Sequence, residues 1–166
     1  MTMTNKLRYN IIILVIVALN YAADRFTKMI AEGYLAGKGT VQVVGDFFIL
    51  HLAHNQGAFL SMGSTLGGPA RFVLLAIIPT ILLIGGLVVL CRQSNAMDWF
   101  HRIVWASLIG GGFANIYDRL FNDGRVIDFM NFGIGNLRTG ILNVADLSIT
   151  FGAIALVLAG MRKKKA

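Results

Sequence analysis

The composition of the 166-residue chain is typical of an integral membrane protein. Hydrophobic residues make up 56% and charged residues 14%, with a mean hydropathy of +0.69, whereas soluble domains usually have about 25% charged residues. The net charge is +7. The basic residues stand between apolar runs and form no patch with interleaved aromatic residues, which argues against nucleic-acid binding. A single cysteine excludes an internal disulfide. We predict one integral membrane domain over residues 1–166.

Four apolar stretches predict membrane-spanning helices. For the first, an uncleaved span is preferred to a signal peptide, because the sequence after Leu19 is a poor cleavage site and further spans follow. Pro79 is expected to kink the second span, and Gly110–Gly112 should let a neighbouring helix approach the third. The predicted spans are about residues 9–31, 71–91, 102–120 and 141–161.

Two segments, about residues 32–70 and 121–140, are predicted to lie outside the membrane. Thr40–Ala53 is rich in Val, Phe, Ile and Leu, and Gly45 interrupts it as a turn would. Arg125–Asn131 alternates like a strand and is a candidate partner for the first segment. We therefore predict a small, partly apolar β-structure on the membrane surface.

Four spans place both chain termini on one side of the membrane. Lys and Arg are nearly equally divided between the two sides, so their number alone orients the chain only weakly. The cluster Arg162–Lys165, directly after the fourth span, favours cytoplasmic termini. The predicted fold is an all-α membrane protein with four transmembrane helices and a small extramembrane β-structure on the outer side.

Three aspartates are predicted to lie at the same depth. Asp24, Asp118 and Asp146 are each 16 residues from a basic residue at the cytoplasmic end of their span. At about 1.5 Å per residue, this places them roughly 24 Å from the cytoplasmic face of a core about 30 Å thick. Ionisable residues at membrane depth are costly and therefore indicate a functional site. The three basic reference residues are Arg8, Arg102 and Arg162.

Two matching patterns, Asn115 to Asp118 and Asn143 to Asp146, suggest that two of these carboxylates share one site. Two close carboxylates in a low-dielectric site share one proton, so that one acts as a base and the other as an acid. Aspartic proteases use this arrangement to activate water and protonate the leaving amine. The asparagines would orient the carboxylates or hold substrate, and Arg119 would face lipid phosphates or tether a loop.

Structural alternatives exist for these acids. Asp118 and Asp146 could cap helices or pair with Arg119 and Arg125, which interfacial carboxylates often do. Asp24 could likewise have a purely structural role, as one half of an interfacial ion pair with Lys28 four residues later.

Two other activities and a histidine metal site are less consistent with the sequence. A proton-coupled membrane carrier could use buried aspartates, but the chain has no visible inverted repeat. A magnesium-dependent lipid phosphotransferase would need acids grouped around a metal, whereas Asp118, Asp123 and Asp128 are spaced by five and share no helix face. His51 and His54 form a metal-type pair, but no third ligand stands at a recognisable spacing.

Five motifs in order resemble those of the bacterial lipoprotein signal peptidases (signal peptidase II). The resemblance extends from Asp24 to about Thr150. Three positions depart from the family pattern: Ala114 replaces a frequent Gly, His54 replaces a frequent Arg, and the second motif is one residue short. The motifs are Asp24-Arg-Phe-Thr-Lys28, Asn55-Gln-Gly57-Ala-Phe59, Gly112-Phe-Ala-Asn115-Ile-Tyr-Asp118-Arg119, Val126-Ile-Asp128-Phe129 and Leu142-Asn143-Val-Ala-Asp146.

This resemblance implies a membrane aspartyl endopeptidase that needs no metal or cofactor. Such enzymes remove the signal peptide from diacylglyceryl-modified prolipoproteins, cleaving N-terminal to the lipidated cysteine. They reside in the bacterial cytoplasmic (inner) membrane, with the active site near the outer leaflet and the β-structure as a cradle. The implied partners are the lipidated substrate and membrane phospholipid, with no obligatory protein partner.

The resemblance also implies roles for individual residues. Asp118 and Asp146 are expected to form the catalytic dyad. The residues expected to support the dyad or bind substrate are Asp24, Lys28, Asn55, Gly57, Asn115, Arg119, Asp128 and Asn143.

Overall fold

The computed structural model describes residues 3–57 and 67–163, with the side chains of residues 5–57 and 67–161. Ala58 and Phe59 of the second motif and the side chains of the Arg162–Lys165 cluster lie outside the described part. The helices are α1 (Met3–Leu35), α2 (Gly68–Phe72), α3 (Ile78–Gln93), α4 (Trp99–Phe121) and α5 (Val144–Lys163). The strands are β1 (Thr40–Val44), β2 (Phe48–Asn55), β3 (Val126–Ile134) and β4 (Leu137–Arg138).

Three helical segments are long and apolar enough to cross a membrane, judged on the described residues by length and composition. These are Asn5–Leu35, Gly68–Gln93 and Val144–Met161. Large apolar side chains on their surfaces are exposed, including Leu82 and Phe151. Exposed apolar surface of this extent requires a non-aqueous environment, which indicates a membrane protein.

Helix α4 lies at the centre of the bundle. A Cβ atom at Gly110 would lie 2.6 Å from the carbonyl oxygen of Val17 in α1, and one at Gly111 would lie 2.9 Å from that of Ala145 in α5. A Cβ atom at Gly112 would lie 2.8 Å from a leucine of α3. The three consecutive glycines therefore face three different helices, which confirms their predicted role in close helix packing.

The second predicted span has its irregularity just before Pro79. Val73–Ile77 forms a π-helical turn between α2 and α3, and the Ile78 N–H donates to the Val73 carbonyl. Proline cannot donate a backbone hydrogen bond, and wide turns of this kind relieve the resulting strain in an otherwise continuous helix.

The helix bounds differ from the predicted spans at several ends. α1 extends from Met3 to Leu35 because a helix can continue beyond the apolar window that predicts it. α4 begins at Trp99, since the Asp98 side chain caps it by accepting from the His101 N–H at 2.8 Å. α5 begins at Val144, three residues after the approximate start of the fourth predicted span, because the residues before it bridge to the sheet and cap the helix.

The four strands form one antiparallel sheet in the order β1-β2-β3-β4. The predicted turn at Gly45 joins β1 to β2, and the predicted pairing of the two outer segments is confirmed by β2 with β3. In that pairing Ala53 lies opposite Asp128. The short β4 was not predicted.

The sheet is attached to the helices at two places. Ala31 and Leu35 of α1 form an apolar cluster with Phe129 and Met130 of β3. The Leu142 N–H donates to the Met130 carbonyl at 2.7 Å, just before α5 begins. These contacts bring the centre of β3 to the ends of α1 and α5.

Candidate active site

Most of the predicted site residues are gathered where β3 meets the ends of α1, α4 and α5. Polar groups buried in apolar surroundings are costly unless they are hydrogen-bonded or paired, and these groups are connected in a network. The buried members are Asp24, Lys28, Asn115, Asp118, Asp128 and Asn143.

Asp118 belongs to a group of two acids and two cations. The Lys28 Nζ atom lies 2.6 Å from Asp24 Oδ2 and 2.8 Å from Asp118 Oδ2. Arg25 forms an ion pair with Asp118 Oδ1, and the Ile127 N–H donates to Asp118 Oδ2 at 3.1 Å. Both carboxylates can therefore be ionised without a net charge on the group. The pair of Asp24 with Lys28 is fully buried, not interfacial.

Asp24 also holds the start of α5. Its Oδ1 atom accepts a hydrogen bond from the Ala145 N–H at 2.8 Å. The first N–H groups of a helix lack partners within the helix, and a negative charge there is stabilised by the helix dipole. Asp24 thus connects α1 to α5, a role that the sequence did not predict.

The Asn143 to Asp146 pattern is a reciprocal helix cap. Asn143 Oδ1 accepts from the Asp146 N–H at 2.9 Å, and Asp146 Oδ2 accepts from the Asn143 N–H at 3.2 Å. The alternative interpretation of Asp146 as a helix-capping residue is therefore confirmed. Asp146 Oδ1 remains available to the site, where it accepts from Asn115 Nδ2 at 2.9 Å.

The matching Asn115 to Asp118 pattern has a different role, because it lies inside α4. Asn115 contacts Asp146 through Nδ2, and its Oδ1 accepts from Lys28 at 3.0 Å and from Asn143 at 3.1 Å. Asn115 thus orients a carboxylate on another helix and not the one in its own pattern.

Asp128 is held by amides alone. Asn143 Nδ2 donates to Asp128 Oδ1 at 2.6 Å, and Asn55 Nδ2 donates to Asp128 Oδ2 at 3.0 Å. No ion pair to Asp128 occurs within the described residues. This environment contrasts with that of Asp118, whose oxygens are both paired with cations.

The electrostatic environment of Asp128 is that of a group suited to proton transfer. The pKa of Asp128 is raised from its ordinary 3.8 to about 6, chiefly by burial and secondly by the neighbouring charge of Asp146. The hydrogen bonds from Asn55 and Asn143 and the charge of Lys28 partly oppose this rise. Perturbed pKa values near neutrality are common among catalytic acids and bases.

Arg119 tethers the chain after β2. Its Nη2 atom donates to the Gly57 carbonyl at 2.9 Å, and Asn55 Oδ1 accepts from the Gly57 N–H at the same distance. The loop-tethering role predicted for Arg119 is confirmed. The charge of the guanidinium also acts on Asp146 and Asp128.

The contacts of the two predicted dyad residues differ from those expected from the sequence. Among the described residues, no hydrogen bond joins Asp118 to Asp146, and Asp118 pairs with Arg25 and Lys28 in place of Arg119 or Arg125. Asp146 and Asp128 are both contacted by Asn143, which donates its N–H to Asp146 Oδ2 and its Nδ2 to Asp128 Oδ1. A carboxylate in an apolar strand, between Ile127 and Phe129, is the sequence signal that identifies Asp128 as a reactive candidate.

The two histidines of the metal-type pair have separate partners. His51 hydrogen-bonds Thr40, and His54 lies 3.5 Å from a carboxylate oxygen of Glu32. Within residues 3–57 and 67–163, no three His, Cys, Asp or Glu side chains are grouped to hold a metal ion.

Comparisons with known proteins agree with the motif resemblance. The family model for signal peptidase (SPase) II matches residues 14–162. The lipoprotein signal peptidase of Treponema denticola is 33% identical over 98% of both chains, and that of Francisella tularensis subsp. novicida is 34% identical over 96% of this chain and 95% of its own.

Solved structures share the fold. A bacterial membrane enzyme determined by the in meso method at 2.3 Å resolution superposes with a TM-score of 0.74 and 25% identity, covering 92% of this chain and 88% of its own. Another, at 1.9 Å resolution, has a TM-score of 0.70 and 26% identity, covering 89% of this chain and 90% of its own. The chain therefore belongs to the signal peptidase II family and is a membrane peptidase.

Proposed function

We propose that this protein removes the signal peptide from diacylglyceryl-modified prolipoproteins by cleaving N-terminal to the lipidated cysteine. The observation that carries the proposed mechanism is that Asn143 contacts both carboxylates, donating its N–H to Asp146 Oδ2 at 3.2 Å and its Nδ2 to Asp128 Oδ1 at 2.6 Å. Asn55 and Asn115 supply further amide partners. The family and its relatives support the substrate class. The alternative, a proton-coupled carrier, receives no support from relatives that are peptidases.

The proposed catalytic dyad is Asp128 with Asp146, in place of Asp118 with Asp146. Asp118 and Asp24 are balanced by Arg25 and Lys28, so that group needs no proton. Asp128 and Asp146 face the remaining cation, Arg119, and one shared proton makes this second group neutral. Two coupled carboxylates that share one proton are the acid and base of an aspartic peptidase.

The reaction follows from that proton arrangement. The ionised carboxylate takes a proton from water, and the water oxygen attacks the carbonyl carbon before the lipidated cysteine. The protonated carboxyl then donates its proton to the amide nitrogen, and the C–N bond breaks. The signal peptide leaves with a new carboxyl group and the lipidated cysteine with a free amine. Neither step requires a metal or a cofactor.

The other predicted residues would position the dyad and the substrate. Asn55, Asn115 and Asn143 hold the reactive carboxylates through their amides. Arg119 and Gly57 fix the segment after β2, so the sheet is positioned as a cradle beside the dyad. Asp24, Lys28 and Asp118 act as a buried frame that joins α1, α4 and α5.

The proposed topology has four transmembrane helices. α4 carries buried polar groups, but these lie on the side packed against neighbouring helices, whereas its exposed side carries apolar residues such as Ile103 and Trp105. Cytoplasmic termini would place the dyad and the sheet at the outer leaflet of the inner membrane, where a lipidated substrate is anchored. No obligatory protein partner is proposed, and the surrounding phospholipid completes the environment.

Cleavage of a purified lipidated prolipoprotein, followed by a gel shift, tests the function. Asp128→Asn and Asp146→Asn should each abolish most turnover. Asp123→Asn is the matched control, because Asp123 is exposed and its positive φ of 50° is one that Asn also tolerates. Wild-type activity should survive a chelator. Activity lost to the chelator would contradict the metal-independent mechanism, and no cleavage by the wild type would contradict the function.

A further inference from the structure

A groove lies between α1 and α3 at the opposite end of the bundle from the carboxylates. Its volume is about 300 Å³. Lys6 and Asp24 are 18 residues apart in α1, about 27 Å along the helix axis, so this groove is separate from the candidate active site. Its polar rim and apolar floor include Lys6, Asn10, Arg92, Leu14, Leu87 and Cys91.

The rim carries two cations without protein partners. Neither Lys6 nor Arg92 forms an ion pair or a side-chain hydrogen bond with another described residue. Lys6 stands about one turn into α1, where a positive charge opposes the helix dipole. Lys6 therefore does not stabilise the helix through its dipole. An anion bound in the groove, by contrast, would be stabilised by the charge of Lys6.

A buried acceptor in the same groove also lacks a partner. Asn10 Oδ1 is buried and accepts no hydrogen bond from the described residues. Such an acceptor is unfavourable unless a donor reaches it. The groove thus offers two positive charges at its rim and one buried acceptor in its lining, beside an apolar floor.

We propose that this groove binds an anionic phospholipid with a hydroxylated headgroup, of the phosphatidylglycerol class. The phosphate lies at Lys6 and Arg92, a headgroup hydroxyl donates to Asn10 Oδ1, and an acyl chain follows Leu14 and Leu87. Basic pockets between transmembrane helices at the membrane interface bind anionic headgroups in this way.

The packing of the bundle gives the bound lipid a structural effect. α1 and α3 each pack mainly against α4 and touch one another in few places. A lipid in the groove would add a further connection between these two helices. Because it binds the folded protein only, it raises the melting temperature by mass action.

Thermal unfolding in neutral detergent tests the charge requirement. Phosphatidylglycerol should stabilise the wild type at lower concentrations than phosphatidylcholine with the same acyl chains. Lys6→Gln or Arg92→Gln should raise the half-saturating phosphatidylglycerol concentration about fivefold, and both together about thirtyfold. Arg8→Gln is the matched control, since Arg8 is an exposed cation near Lys6 that does not line the groove.

The only cysteine of the chain provides a second measurement that does not depend on the variants. Cys91 lines the groove. Phosphatidylglycerol should slow its alkylation by a maleimide, whereas phosphatidylcholine should do so much less and glycerol 3-phosphate without acyl chains should not.

Three results would overturn the proposal. Equal protection of Cys91 by phosphatidylcholine would remove the preference for an anionic lipid. Arg8→Gln weakening the lipid effect as much as Lys6→Gln would indicate general attraction to a basic surface. Full protection by glycerol 3-phosphate would indicate a phosphate site and not a lipid site.

Discussion

Replacing Asp128 by Asn should inactivate the enzyme and stabilise its fold at alkaline pH. Burial raises the pKa of Asp128 to about 6, so the folded protein binds a proton there more tightly than the unfolded chain does. The wild type is therefore progressively destabilised as the pH rises from about 4 through 6, and the full cost is present above about pH 7. The neutral amide of Asn does not carry this cost.

The size of the effect follows from two terms. The rise in the pKa of Asp128 from 3.8 to about 6 corresponds to about 3 kcal/mol, since one pKa unit is about 1.4 kcal/mol. Against it, Asn at this position can keep only one of the two hydrogen bonds from Asn55 and Asn143, which costs about 1–2 kcal/mol. At pH 8 the free energy of unfolding should thus rise by about 1–2 kcal/mol. At pH 4 this advantage should vanish or reverse.

The same substitution at Asp118 should have the opposite effects: it should lower the stability of the fold and leave the catalytic activity of the folded protein. Asp118→Asn removes one acid from a neutral group and leaves Lys28 and Arg25 opposite Asp24 alone. Breaking a buried ion pair by removing one partner costs about 3–5 kcal/mol. The variant should be much less stable, but its folded fraction should still cleave substrate.

Two assays separate these outcomes. Thermal unfolding at pH 4 and pH 8 measures the stability of both variants, and the gel-shift assay below the melting temperature measures turnover. Asp128→Asn should lose about two to four orders of magnitude in rate, as expected when a general acid–base group is removed. If Asp118→Asn is inactive while as stable as the wild type, and Asp128→Asn is active, the charge argument is refuted and Asp118 belongs to the dyad.

Three further predictions concern the same site and its supporting helix. The double variant Asp128→Asn with Asp146→Asn should be little slower than either single variant, because residues that act as one unit are not additive; multiplicative losses in the gel-shift assay would contradict the shared proton. Asn55→Ala removes a hydrogen bond that lowers the pKa of Asp128, so the alkaline limb of the pH–rate profile should move to higher pH, and an unchanged limb would contradict the assignment. Gly110→Leu should destabilise the protein by more than 3 kcal/mol, since its Cβ atom would lie 2.6 Å from the Val17 carbonyl oxygen; Gly160→Leu, where the added Cβ meets nothing within 4 Å, is the control in thermal unfolding.

Local patterns in the sequence were sufficient to predict much of the fold. Apolar length predicted the positions of the helices, and the break at Gly45 predicted the first hairpin. Alternation in Arg125–Asn131 predicted the strand that pairs with β2. These features depend on side chains that are close in sequence, so their patterns are visible in the amino-acid sequence itself. The bridge from Met130 to Leu142 depends on tertiary packing and left no local pattern.

The sequence predicts which polar residues come together but not which of them contact one another. The two Asn-x-x-Asp patterns look equivalent, yet one lies at the start of α5 and caps it, while the other lies within α4, where the backbone needs no cap. The shared spacing predicts equivalent roles for the two asparagines, but Asn143 caps α5 whereas Asn115 contacts Asp146 on another helix. Helix position separates Asp146, at a helix start, from Asp118.

The cations decide which carboxylates can hold a proton. Arg25 and Lys28 are three residues apart on α1, so one face of that helix presents both charges to Asp118. These two cationic partners can balance the charge of Asp118 together with that of Asp24. Asp128 lies on a strand with only amide partners, and its pKa rises to about 6. A buried acid is suited to proton transfer when its partners are neutral, and on that ground we propose Asp128 in place of Asp118 for the dyad.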